Sequence, residues 1–333
     1  MKKIYKIILT LTFLFNFNNL YSQDLSFDEW LQNFKKEALK RGISEKTFNS
    51  SMSNVKFLPK VIEYDRYQPE FYEDTKKYIK KRTSDKKVKD AINIYKKNKR
   101  LIDKVESEFF VEKELLLALM GIETNFGKYL GKMDILSSLA TLSYDKRRSS
   151  FFTNELITIL KLIENGVIDH RILFGSWAGA FGNFQFMPST INRYAIDYDK
   201  NGIIELKKIE DSFASAANYI NKIGWKTNGA CFKQISLHQK IPKKFLNTSA
   251  RKIKNKKNFV KIKKFITNSN ALNINDNIEV GIITPDKDII PDAETLKPAY
   301  LTFYNYDLIL KWNRSLRFAL AVCTLKDKID NEL

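Results

Sequence analysis

The chain has 333 residues, with 57 Lys and Arg against 38 Asp and Glu, a formal net charge of +19. Hydrophobic residues make up 44% and aromatics 13%, enough for a large core, which excludes global disorder. With 12 Gly, 7 Pro and 2 Cys, collagen-like repeats, a disulfide miniprotein and a multi-cysteine metal cluster are excluded as well. Two histidines, His170 and His238, leave little room for a zinc hydrolase or a histidine relay. If the chain is an enzyme, carboxylates are expected to do its chemistry.

The first 22 residues read as a secretory signal peptide. Lys2, Lys3 and Lys6 form a basic start, an apolar run follows from Ile7 to Phe15, and Ser22 is a plausible cleavage point. The run is too short to span a bilayer, and no cysteine is present there for a lipid anchor. An exported, soluble, periplasmic protein is expected. Its remaining excess of lysine suggests a polyanionic partner, and export favours wall polymer over nucleic acid. A lysine-rich composition without any such partner is the plainer reading.

Helical patterns dominate the remainder. Ser26 and Glu29 have capping-box spacing ahead of an apolar face of Phe27, Trp30, Leu31 and Phe34, and Gly42 is a natural stop. After a break at Gln68-Pro69-Glu70-Phe71, residues 70–110 are charged and largely helical in pattern. From Phe110 to Gly131 the chain turns apolar, and another helix is expected over 152–164, ending at Gly166. The small-residue segment 175–182 reads as a tight turn with close backbone approach. Helices follow Pro188 and Asp211, the second stopping at Gly224. Residues 251–264 hold eight Lys and Arg and no acid, which suits a solvated loop or a wall or membrane contact. Alternation over 278–283 and 299–303 predicts short strands, and one closing helix is expected over 306–329.

The stretch Leu115-Leu116-Leu117-Ala118-Leu119-Met120-Gly121-Ile122-Glu123 ends an apolar helix on a carboxylate at a glycine turn. An apolar setting disfavours the charged form, so Glu123 is expected to hold its proton as a general acid must. A solvent-facing helix-end glutamate is the plainer alternative. The segments Glu123-Thr124-Asn125-Phe126-Gly127 and Gly175-Ser176-Trp177-Ala178-Gly179-Ala180-Phe181-Gly182-Asn183-Phe184-Gln185-Phe186-Met187-Pro188-Ser189 closely resemble signatures of the lytic murein transglycosylase B family. Leu139-Ala140-Thr141-Leu142-Ser143 with Arg147-Arg148, Ala217-Asn218-Tyr219, Gly224-Trp225 and Trp312-Asn313-Arg314-Ser315 follow in the family's order. The likeness covers most of residues 60–330 and is poorest at 251–264.

The resemblance implies a mainly α-helical (α+β) protein: a lysozyme-like helical core, an additional helical region and a small β insertion. The expected division is a signal peptide (1–22), an N-terminal helical region (23–110), the catalytic core (111–230), the β-rich insertion (231–300) and a C-terminal helix completing the cleft (301–333). It implies cleavage of the MurNAc-β-1,4-GlcNAc bond of peptidoglycan without water, by one acid, Glu123. By the family pattern Ser176 and Gln185 contact the sugar near Glu123. Arg147, Arg148, Tyr219, Trp312, Asn313 and Phe318 are further substrate-binding positions. Phe151, Trp312 and Phe318 stand where some members have Tyr. A hydrolytic muramidase and a non-catalytic peptidoglycan-binding protein of the same fold are the competing readings. A monomer is expected, with glycan strands as partner, no nucleic acid and no stable membrane anchor.

Asp197, Asp199 and Asn201 occupy positions 1, 3 and 5 of a calcium-type loop with Gly202 at position 6, but the twelfth residue is Lys208. The resemblance supplies a longer loop closed by Asp211, with the Ile203 carbonyl as another ligand. The reading is a structural Ca2+ with no cofactor required for chemistry; a metal-free turn held by Asx hydrogen bonds is the alternative. Cys231 and Cys323 are compatible with a bridge or with two buried thiols.

Overall fold

The first helix begins where its capping box places it. Ser26 Oγ accepts from the Glu29 amide at 3.3 Å, and Glu29 Oε2 accepts from the Ser26 amide at 2.8 Å. The structure, a computed structural model, describes residues 25–67, 73–287 and 289–333. The signal segment and the break at 68–71 lie outside the described residues.

Among the described residues six helices lead up to the apolar stretch: α1 (Phe27–Lys40), α2 (Glu45–Met52), α3 (Pro59–Arg66), α4 (Thr75–Arg82), α5 (Asp85–Lys97) and α6 (Lys99–Phe109). The charged region holds three helices, broken at Thr83-Ser84 and at Asn98, where the backbone leaves helical geometry (φ −127° at Thr83 and −122° at Asn98). Next comes α7 (Lys113–Thr124), in which every residue from Glu114 to Gly121 is buried. A helix apolar all round belongs in a protein centre, and this one is packed against helices on several sides. Strand β1 (Met133–Asp134) opens into α8 (Ile135–Tyr144), which packs on α9 (Ser149–Glu164). Strand β2 (Phe174–Gly175) returns antiparallel to β1, pairing Met133 with Gly175. Helices α10 (Pro188–Tyr194) and α11 (Ile209–Lys222) follow.

The insertion contains β3 (Phe232–Ile235), β4 (Leu246–Asn247), β5 (Lys257–Asn258), the single turn α12 (Phe259–Ile262), β6 (Glu279–Ile283) and β7 (Ala299–Thr302). The strand order is β3-β7-β6-β4, with β5 beside β6; β7 runs antiparallel to both neighbours and β4 parallel to β6. This sheet carries its own apolar cluster around Ile235, Phe259, Ile262, Val280 and Leu301. The larger core runs from Phe34 to Ile329, so the N-terminal helices and α7 share one interior.

The end of the chain differs from expectation. In place of one helix there are two, α13 (Tyr304–Trp312) and α14 (Leu316–Asp330). Asn313 is extended (φ −139°, ψ 123°), and Ser315 Oγ caps the new helix by accepting from the Phe318 amide at 3.2 Å. Cys231 and Cys323 form a disulfide that ties the entrance of the insertion to α14.

Candidate active site

Glu123 is the penultimate residue of α7 and lines a cavity of about 330 Å³. Its Oε1 accepts the Trp312 indole N–H at 2.9 Å, a bond between residues 189 positions apart. Beyond Glu123 the backbone turns left-handed at Asn125 and Phe126 (φ 51° and 61°) and again at Gly127. A Cβ on Gly121 would lie 2.7 Å from Phe126 Cζ, so the glycine is what lets that ring fold back on the helix. Thr124 Oγ1 donates to the Asn183 carbonyl at 2.8 Å and accepts from the Gly127 amide at 3.0 Å. From the other side α5 contributes Lys87. Its Nζ lies 2.5 Å from the Gly121 carbonyl and 3.0 Å from Asn125 Oδ1. Burial pushes the Lys87 ammonium below the usual lysine range. A cation at these carbonyls also suits the negative end of the helix dipole.

Ser176, Gln185, Tyr219, Trp312 and Asn313 line the same cavity as Glu123. Ser176 sits in a tight turn, exchanging backbone hydrogen bonds with Ala180 and Gly179 while its Oγ accepts from the Ala180 amide at 3.0 Å. Gln185 is left-handed (φ 50°) and its Nε2 donates to the carbonyls of Gly182 (3.0 Å) and Leu130 (3.3 Å). The glycine run has steric cause: a Cβ at Gly182 would approach Leu206 Cβ to 2.5 Å, at a φ of +84°. One wall is an aromatic ladder, with Tyr194 stacked on Tyr219 (4.3 Å) and Tyr219 on Trp312 (5.0 Å). Burial raises the pKa of the Tyr219 phenol, which donates to the Lys311 carbonyl at 3.1 Å.

Three predicted substrate contacts lie elsewhere. Arg147 and Arg148 converge on the buried carboxylate of Asp65, Arg147 Nε reaching Oδ2 at 2.7 Å and Arg148 pairing with Oδ1. Both remain exposed while they clasp α3 to the α8–α9 connection, and neither is among the residues lining the Glu123 cavity. Phe318 is buried in the first turn of α14, within the main core. Conversely, Phe184, Phe186, Met187 and Thr190 line the cavity and were not singled out. All four lie in or just beyond the glycine-rich segment, so spacing from Ser176 and Gln185 was the available signal.

Among the described residues, Glu123 is the one acid lining the cavity. Other buried acids are committed to structure. Glu112 accepts from the Trp225 indole (2.5 Å) and the Asn228 amide (2.8 Å). Glu155 accepts from the Ser189 amide and hydroxyl at the start of α10, and Asp286 from the Thr75 amide and hydroxyl.

The loop ahead of α11 brings carboxylate oxygens of Asp197, Asp199 and Asp211 within 4.8 Å of one another. Hard oxygen donors so close suit a hard divalent cation. The loop is also internally bonded: Asp211, fully buried, accepts from the amides of Tyr198 (2.8 Å) and Glu205 (2.8 Å), and Asp197 from Asn201 and Gly202. Asn201 Oδ1 accepts from the Ile203 amide at 2.9 Å, so both predicted donors belong to the same turn.

The fold is mainly helical, and its cavity sets Glu123 against an aromatic wall. The family model described as the transglycosylase SLT domain matches residues 26–327, and the chain belongs to that family. The membrane-bound lytic murein transglycosylase B of Escherichia coli K12 is 35% identical over 150 residues, 45% of this chain and 42% of that protein. The chain therefore spans less than half of that relative's length in the match. SltB3 from Pseudomonas aeruginosa, solved with NAG-NAM-pentapeptide and with NAG-anhNAM-pentapeptide, superposes with a TM-score of 0.80 at 29% identity, over 92% of this chain and 80% of that one. Slt35 of Escherichia coli, solved with calcium, shares the fold (TM-score 0.74, 24% identity, 91% of this chain and 93% of that one).

Proposed function

We propose that the chain is a lytic murein transglycosylase that cleaves the MurNAc-β-1,4-GlcNAc bond and leaves a 1,6-anhydromuramic end. The observation that carries this reading is the cavity's single carboxylic acid among the described residues, hydrogen-bonded to Trp312 and sharing the cavity with Ser176, Gln185 and Asn313. Hydrolytic glycosidases generally set two carboxylates across the bond, one of them to handle water or form a glycosyl ester. With one acid, the nucleophile is expected from the substrate.

Glu123 donates its proton to the glycosidic oxygen as the C1–O4 bond breaks with its electron pair going to O4. The substrate's acetamido oxygen stabilises the cation at C1. Glu123, now carboxylate, takes the C6 hydroxyl proton while O6 bonds C1, so the acid is regenerated and no water is consumed. Trp312 orients the carboxyl, Tyr219 and Trp312 offer a sugar-facing aromatic wall, and Ser176, Gln185 and Asn313 supply hydrogen bonds to the saccharide. The peptidoglycan fragments bound to SltB3 support this substrate class.

The same proposal has the protein exported to the periplasm behind its signal peptide. It includes a structural Ca2+ held by Asp197, Asp199, Asn201, the Ile203 carbonyl and Asp211, which would fix the loop ahead of α11 and take no part in the chemistry. Replacing Glu123 tests the core of the reading. Glu123→Gln keeps the volume but cannot exchange the proton, so release of muropeptides from sacculi should fall at least about 100- to 10,000-fold with unchanged melting. A folded variant with near wild-type release would refute the assignment.

A further inference from the structure

The segment that carries Trp312 and Asn313 into the Glu123 cavity serves a second one. Leu310, Lys311 and Arg314 line a cavity of about 500 Å³ together with Arg251, Lys252, Ile253, Lys256, Glu279 and Asp307. Residues 312 and 313 face one cavity and their neighbours 311 and 314 the other, so the two share a wall at the end of α13. The second cavity gathers five cations against two acids. Lys256 pairs with Asp307, whereas Arg251, Lys252, Lys311 and Arg314 have no acid partner among the described residues. Like charges converging without counter-charge repel one another, and an anion placed among them relieves that repulsion.

We propose that this basic cavity receives the acidic stem peptide of the glycan held at Glu123, its carboxylates meeting Arg251, Lys252, Lys311 and Arg314. The proposal rests on the reading of the Glu123 cleft as a peptidoglycan-cleaving site. A stem peptide branches sideways from muramic acid and carries several carboxylates, so it needs a cationic recess beside the cleft, which is where this one lies. Guanidinium groups bind carboxylates through paired donors, and two of the four cations are arginine. The volume falls within the range of about 300–1,000 Å³ of small-ligand pockets and is concave, which suits a peptide better than a flat bilayer surface. Asp307 Oδ1 is buried without a hydrogen-bond partner, an acceptor that a peptide N–H can satisfy and a lipid phosphate cannot. Arg251 and Lys252 come from the insertion, whereas Lys311 and Arg314 come from the end of α13 and the residues just after it.

The test compares intact glycan with the same strands stripped of peptide by an amidase. Wild-type kcat/KM should favour intact glycan, and Arg251→Ser/Lys252→Ser should reduce that preference about fivefold, with the melting temperature unchanged because both side chains are exposed. A wild type without the preference, or one equal in the two proteins, overturns the proposal. Failure of the wild type on both strands tells against the cleft reading instead. Titration with purified stem peptide then decides the pocket: about fivefold weaker binding by the double variant supports it, and equal affinity overturns it. A double variant that loses only its binding to phosphatidylglycerol vesicles assigns the face to a membrane and also overturns it.

Discussion

At the residue scale, the geometry around Glu123 depends on side chains far away in sequence. Lys87, from a helix outside the apolar stretch, donates to Gly121 and Asn125 at the end of α7. Lys87→Met should cost about 1–3 kcal/mol of stability, as expected for hydrogen bonds to a charged donor, and lower kcat more than it raises KM. Steady-state kinetics beside urea melts would check both. Trp312→Phe keeps a ring to stack on Tyr219 but removes the N–H to Glu123 Oε1. We expect about a tenfold fall in kcat from losing one oriented donor, measured as muropeptide release. Glu123 and the Ser176–Gln185 turn were legible in sequence through the family resemblance, since a carboxyl ending an apolar helix leaves a solvent-facing glutamate open. Lys87 was not legible, since nothing local distinguishes it from neighbouring lysines. The Asp65 partner of Arg147 and Arg148 was not legible either, because it lies 82 and 83 residues away.

At the element scale, the loop before α11 does two jobs that separate experimentally. Asp211 is buried and accepts backbone amides from Tyr198 and Glu205, so Asp211→Ala should destabilise the protein by about 1–3 kcal/mol even in chelator. Asp197 is only half-buried. Asp197→Ala should leave the chelated melting temperature nearly unchanged while abolishing the upward shift that Ca2+ gives the wild type. A wild-type melting temperature indifferent to both Ca2+ and chelator would exclude the metal. The positions of Asp197, Asp199 and Asn201 were readable from spacing, but the spacing fails at Lys208, and only the start of α11 brings Asp211 back to the cluster. The α13–α14 break was invisible for a related reason. It contains neither Gly nor Pro, and an extended asparagine with a serine cap does the work instead.

At the scale of the whole molecule, long-range ties join parts that the sequence presents as separate. The N-terminal helices share the main core with α7, Asp286 of the insertion accepts from Thr75 on α4, and Cys231–Cys323 closes a span of 92 residues. Removing that bridge as Cys231→Ala/Cys323→Ala should cost about 4.6 kcal/mol on the chain-entropy account, read as a lower urea midpoint. Pairing of the cysteines was not legible, because it depends on how the insertion docks rather than on any local pattern. The central claim is that this assembly presents one acid to a substrate that supplies its own nucleophile. Mass spectrometry of muropeptides released from purified sacculi tests it most directly. The account predicts muramic ends lighter by one water, the 1,6-anhydro form, in wild-type digests. Digests whose new ends are reducing muramic acid, with the anhydro form absent, would contradict it.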